Sequence, residues 1–473
     1  MKSIYNLRFW ILMLMISVFF TNGTAQSVRT SYFMESASSR TLLNPALRPN
    51  QGYISVPGLG NSYVDAKTNT FNMDHFSFRK NNDLLFFMNE NVGTEEFMKN
   101  ISGKNYLDFG ADLTVLSAGW YSGKGFWSLN FALRAYGDAN IPKDFFRLAK
   151  EGFGIEEKNV FDLSNTGAEA TAFGEFGLGY SRTFGENDNL TLGFRVKYLS
   201  GICNFRMKTE NLRLEVGSDD WRISSNAILQ MSARGIQIKH ESDDDYDTFD
   251  LDDTQFSLAA GYGLGLDLGF EYQPVDRLKI SGAITDLGVI RWSGNNSVSL
   301  RAQGETAIDP DNLIFSVDNE ENFDAVKDHF DHVLDNLEKA VKPKEDANSK
   351  DSRTTRLRTT LNIGAGYDFI KDKFSVGLLS STIFNPYHTV SEFTVSANYT
   401  PVDWLSISGS HSLTPGFFKT FGLALHLAPS KGLNLFIASD YLIPRVNSDF
   451  IPTTSKAVSV QVGVTIPIGG KRK

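Results

Sequence analysis

A strict alternation of large apolar with small or polar residues runs from Ser391 to Gly469, and it leaves this stretch few folds to choose from. Phe393, Val395, Ala397 and Tyr399 alternate with Glu392, Thr394, Ser396 and Asn398, and a second run follows the break Pro401-Val402-Asp403. Leu423, Leu425 and Leu427 alternate with Gly422, Ala424 and His426, and Val458, Val460, Val462, Val464 and Ile466 with Ser459, Gln461, Gly463 and Thr465. A period of two puts successive side chains on opposite faces, so these runs are strands with one greasy face each. So many consecutive strands cannot pack all their Leu and Val into one closed interior. The reverse arrangement satisfies both faces: large side chains meet lipid, and Gly, Ser, Thr and Asn face the lumen of a membrane-spanning barrel.

Composition and address agree with that reading. The chain has 473 residues and no Pro/Ser-rich linker, which suits one large barrel domain. Met1 to Ala25 places Lys2 and Arg8 around the start of an apolar run, Phe9 to Phe20, followed by small residues, the pattern of a secretory signal peptide with Gln26 as the mature start. The run is well short of the ~20 apolar residues a spanning helix needs. Cys203 is the only cysteine, so no intrachain disulfide exists. The formal charge is −9, more negative still without Lys2 and Arg8, which argues against a nucleic-acid partner.

The segment after the signal peptide lacks strand alternation and is restricted by prolines: Ser38-Ser39-Arg40-Thr41-Leu42-Leu43-Asn44-Pro45-Ala46-Leu47-Arg48-Pro49. Its Asn44-Pro45-Ala46 triplet resembles the N-terminal hatch of long-chain fatty-acid-transporter-type outer-membrane barrels. The longer pattern is similar to an uncharacterised outer-membrane family of Bacteroidetes, in which the turn precedes a segment like Ile54-Ser55-Val56-Pro57-Gly58-Leu59-Gly60 and a later strand ends like Asp286-Leu287-Gly288-Val289-Ile290-Arg291-Trp292. The resemblance covers nearly the whole mature chain. It implies fourteen strands, a hatch over residues 26–60 that includes Asn44, Pro45 and Ala46, a barrel over 61–473, and passage of a small hydrophobic ligand.

Upstream of the opening stretch, alternation marks Leu107 to Ser117, Trp127 to Ala135, Ala168 to Tyr180, Leu190 to Tyr198, Phe256 to Tyr272, Leu278 to Ile284, Leu361 to Phe369 and Phe374 to Leu378. With Phe71 to Phe78 and a pair between Phe205 and Gln230, the count reaches roughly sixteen, so the fold class is an all-β antiparallel outer-membrane barrel of about 14–16 strands. Short connections such as Gly185 to Asn189, Gln273 to Arg277 and Lys371 to Lys373 alternate with long ones, Asp138 to Gly167, Gln237 to Asp253, Ser293 to Thr355 and Ile443 to Ser455. Short turns belong in the periplasm and long loops outside. In the longest loop, Phe323, Val326, Phe330, Val333, Leu337 and Val341 recur at steps of three and four, the stripe of an amphipathic helix.

No pattern points to catalysis or a cofactor. Glu241 to Asp253 holds eight acidic residues in thirteen, but Thr248 and Thr254 occupy the positions where a calcium loop needs Gly and Glu. His329 and His332 lie one helical turn apart beside Asp328, Asp331 and Asp335, which reads as a solvated helix face rather than a metal site. Glycines 261, 263, 265 and 269 share one strand face and match no phosphate loop. The polar face of the lumen carries Arg134, Glu175, Arg195, Lys197, Asp267, Glu271 and Asp368, a density of charge that demands pairing. The leading function is passage of a small ligand, a hydrophobic one first, across the bacterial outer membrane; the alternative is an interaction barrel docking secreted or surface proteins. A ligand-sized apolar cavity beneath the hatch favours passage, and a lumen shut by paired charges favours the alternative.

Overall fold

The computed structural model describes residues 28–70, 73–80, 83–152, 159–217, 221–241, 246–252, 259–308, 341–414, 418–430, 432–442 and 456–470. The signal peptide expected over Met1–Ala25, the loop helix expected from Phe323, and His329 and His332 lie outside these residues.

Alternation builds a closed antiparallel barrel of fourteen wall strands. The first, β1, is broken into Gly52–Ser55 and Ser62–Thr68. Then come β2 Lys104–Ser122, β3 Gly125–Pro142, β4 Gly167–Phe184, β5 Leu190–Val216, β6 Gly261–Val275 and β7 Leu278–Trp292. Strand β8 is again in two pieces, Arg353–Arg356 and Thr359–Ile370, followed by β9 Phe374–Phe384, β10 Thr389–Val402, β11 Leu405–Thr414, β12 Phe418–Ser430, β13 Leu433–Ser439 and β14 Ala457–Ile468. The ring closes where β1 pairs with both neighbours, Ile54 opposite Ile466 on β14 and Ala118 on β2. Closure removes every sheet edge from the lipid, which an open sheet cannot do.

The faces follow the pattern. Along β6, Tyr262 and Leu264 are 60% and 65% exposed, whereas Asp267 between them and Phe270 is fully buried. Phe176, Leu192, Phe194, Val196, Ile363, Phe393, Val395, Phe421 and Ile437 continue this exposed apolar exterior around the ring. Such a surface is tolerable only in lipid. Among the described residues, no helix is long and apolar enough to cross a membrane.

The turn Ser122–Gly125 and the ends of β1 and β14 lie together, since Tyr53 sits opposite both Gly119 and Pro467. This is the short-turn end, the one that outer-membrane barrels turn to the periplasm. At the other end β5 runs on for 27 residues and changes partner above the barrel, pairing with Trp221–Ala233, which pairs in turn with Ser297–Ile308. Leu148, Phe161, Leu163, Leu214, Val216, Trp221 and Ile223 form the core of this outer sheet. A second outer cluster centres on stacked Phe87 and Phe97 with Phe146.

Three expectations change. The run Phe71–Phe78 is no wall strand: Met73–Phe76 is helical and Ser77–Lys80 forms a hairpin with Asp83–Phe86. The runs between Phe205 and Gln230 belong to the outer sheet, so about sixteen runs yield fourteen wall strands. Period two identifies a strand but not the layer it joins. The hatch expected over 26–60 also stops short, because Gly52–Ser55 takes ladder pairs on both sides and is wall.

Candidate functional site

Residues 28–51, within the segment expected to form a hatch, lie in the lumen against the inner wall. Their backbone-to-backbone hydrogen bonds are internal, for example Tyr32 N to Arg29 O, Leu47 N to Asn44 O and Asn50 N to Glu35 O. The wall is therefore reached through side chains. At the hatch's inner end the Arg29 and Thr30 amides both donate to the Asp440 carboxylate at 2.9 Å. The Arg29 guanidinium lies 3.4 Å from Asp440 and 3.5 Å from Glu392, and the Tyr441 hydroxyl donates to Glu392 at 2.7 Å. Ser408 Oγ donates to Thr30 O at 2.8 Å and Ser410 Oγ meets Thr30 Oγ1 at 2.7 Å. Apolar contacts add to this: Val28, Met34 and Ala37 pack with Tyr63, Ala424 and Phe436, and Tyr32, Leu43 and Leu47 with Leu379.

The Asn44-Pro45-Ala46 triplet is the hatch's seat on β5, β6 and β7. Asn44 is fully buried; its Nδ2 donates to Phe270 O at 3.2 Å and Gly282 O at 3.3 Å, and its Oδ1 accepts from Ala46 N at 2.9 Å. The side chain closes its own turn while Pro45 presets the backbone. The wall makes room with glycine. A Cβ on Gly269 would lie 2.0 Å from Asn44 Oδ1, and one on Gly193 2.5 Å from the Pro45 carbonyl. Below, Arg48 donates to Lys124 O at 3.1 Å and to Thr183 Oγ1 at 2.6 Å, which ties the hatch to the periplasmic turns.

Against the hatch helix Arg40–Leu43 stands a buried ion cluster. Arg134 lies 2.7 Å from Glu175, 2.7 Å from Asp286 and 3.3 Å from Asp112. Lys197 lies 2.7 Å from both Asp267 and Asp286, and Arg195 3.4 Å from Asp267. Asp286 enters because β6 and β7 slip register around Asp267 and because its φ is 57°, a conformation Asp tolerates better than most residues. Its amide donates to Asp267 Oδ1 at 2.8 Å. Arg195 reaches the hatch, donating to Thr41 O at 2.9 Å, and Asn362 donates to Leu43 O at 2.9 Å. These bonds satisfy carbonyls that a helix end leaves open.

Of the seven polar residues singled out from the sequence, Arg134, Glu175, Arg195, Lys197 and Asp267 meet in this cluster. Glu271 and Asp368 do not; they are partly exposed, 3.9 Å from Arg40 and 3.4 Å from Lys279 respectively. Sequence reasoning missed Asp112, Asp286, Asn362, Glu392 and Asp440. Asp286 had left a trace, since the alternation of Leu278–Ile284 breaks before Leu287, as a bulge requires.

The cavity lined by Leu42, Leu43 and the cluster is about 20 Å³, room for a water molecule and not for a ligand. Above it Trp292, fully buried, packs with Phe173, Leu199 and Leu357, and Arg358 crosses the lumen to donate to Phe109 O at 3.2 Å.

Among solved structures the chain is similar to a deletion mutant of the TodX monoaromatic hydrocarbon channel, at 9% identity and TM-score 0.38 over 94% of this chain and 96% of that one. It is similar to a Pseudomonas aeruginosa FadL homologue, at 11% identity and TM-score 0.39 over 94% and 99%. It is also similar to the CymD monoaromatic hydrocarbon channel, at 11% identity and TM-score 0.35 over 94% and 93%. No curated protein matches it. Residues 45–440, from within the hatch triplet to Asp440, match one protein family, and the chain belongs to it: a family of unknown function, DUF5723.

Proposed function

We propose that this outer-membrane barrel passes a small ligand and that the hatch is its gate. The observation that carries the reading is that the element filling the lumen takes no part in the wall's ladder, so it can move while every wall strand keeps its neighbours. A lumen shut by paired charges would by itself favour an interaction role. A closing element separable from the wall favours a gate held shut.

A hydrophobic ligand needs a route that avoids the charges, and β1 offers one. Between Ser55 and Ser62 six residues stand opposite only Gly463 and Val464, so Val56–Asn61 bulges from the wall. Pro57 and Leu59 are exposed, while Asn61 is buried and accepts a hydrogen bond from Ser38 Oγ of the hatch at 3.1 Å. The hatch thus touches the bulge through the Ser38–Asn61 bond, and in this reading movement of Ser38 releases that contact.

Locking that contact is the test. A Ser38→Cys/Asn61→Cys pair in a Cys203→Ser background should abolish openings in planar bilayers when oxidised and restore them on reduction. A parent that never opens, or openings indifferent to the lock, would refute the gate.

A further inference from the structure

Asp108 on β2 and Asp138 on β3 lie directly opposite each other in the ladder, both buried. Like charges in that position repel, and the low-dielectric surroundings strengthen the repulsion, so the pair favours a cation or a shared proton between its carboxylates. The residue supplied is His388, from the turn that joins β9 to β10. These strands stand seven places from β2 and β3 in a ring of fourteen, so the turn has reached across the outer mouth to the far wall. His388 Nε2 lies 2.9 Å from Asp108 Oδ2, and Nδ1 3.6 Å from Asp138 Oδ2. The ring stacks on Tyr106 at 4.2 Å. Tyr387 N donates to Asp138 at 3.1 Å, Asn385 Nδ2 to Asp108 Oδ1 at 3.0 Å, and Tyr387 Oη to Met207 O at 2.6 Å. Gly167 leaves space for the Tyr387 ring, which a Cβ there would approach to 2.3 Å.

We propose that Asp108, Asp138 and His388 form a site for a divalent transition metal, zinc first, which clamps the β9–β10 turn across the extracellular mouth. One donor atom from each of the three residues lies within 4.8 Å of the others. One imidazole nitrogen with two carboxylate oxygens is a set that borderline dications accept, leaving a fourth position open. Two buried carboxylates facing one imidazole leave the site short of positive charge. A dication supplies more of that charge than a proton and joins three segments of the mouth covalently distant from one another. The assignment does not depend on the hatch being a gate.

The test uses the full chain refolded in detergent and titrated with Co²⁺. One equivalent should bind with visible d–d absorption and be displaced by Zn²⁺, and His388→Gln or Asp138→Asn should weaken binding at least about tenfold. No stoichiometric binding by the parent, or undiminished binding by both variants, would overturn the site. Should the variants not fold, the parent decides alone: the ¹⁵N ring signals of His388 must shift on adding Zn²⁺, and unchanged signals overturn the proposal.

Discussion

Wall and hatch are held by different chemistry. The wall's strands are joined by a ladder of backbone hydrogen bonds that continues around the ring whatever the side chains are, provided one face suits lipid. The hatch takes no ladder bonds from the wall; it is seated by individual side chains, Asn44 on β6 and β7, Arg195 and Asn362 on its helix end, and Asp440 and Glu392 on Arg29. A ladder breaks cooperatively, whereas a set of separate contacts can be released with the wall intact. The lumen holds two buried ion groups, one on β2 to β7 around Arg134 and Lys197 and a smaller one where Arg29 meets Glu392 of β10 and Asp440, with hydroxyl pairs such as Thr394–Ser412 at 2.8 Å beside the second.

The largest effect should come from the ion cluster. Arg134→Met leaves Asp112, Glu175 and Asp286 short of a buried partner and should cost about 3–5 kcal/mol of barrel stability in urea titrations. A loss below about 1 kcal/mol would mean that the cluster behaves like solvated surface charge. Next is the lipid face, where Leu264→Arg should destabilise folding into bilayers, by about 2–4 kcal/mol at midplane depth and less toward an interface, and leave hatch protection unchanged. Equal tolerance of Arg and Leu there would sink the outward assignment of β6.

Contacts of the hatch should behave in the opposite sense. Asn44→Ala removes the donors to Phe270 O and Gly282 O and should cost about 1–3 kcal/mol, seen as faster hydrogen exchange over residues 28–51 with the wall amides unaltered. If wall amides exchange faster as well, hatch and wall are one cooperative unit and the distinction fails. Ser408→Ala, which removes a single hydroxyl bond to Thr30 O, should cost only about 0.5–1.5 kcal/mol by the same measurement.

The same division decides how much could be read in advance. The wall was legible because lipid on one side and lumen on the other impose period two on every strand, so Leu264 and Val460 announce their faces. The hatch was visible as a proline-restricted stretch without alternation, but its seat was not. Gly269 and Gly193 look like any small lumen-facing residues until Asn44 and Pro45 are placed against them. Asp286 sits where a positive φ interrupts the pattern, and its partners come from strands far away in sequence. Nothing in Asn385-Pro386-Tyr387-His388 shows that a four-residue turn crosses the mouth; that follows only from strand number and ring closure.

The most direct measurement of the gate is removal of Ser38–Pro49, followed by solute uptake into liposomes with strand content monitored by circular dichroism. A gate predicts an unchanged strand signal and faster uptake than the parent. A deletion variant that folds normally and passes solute no faster would contradict it.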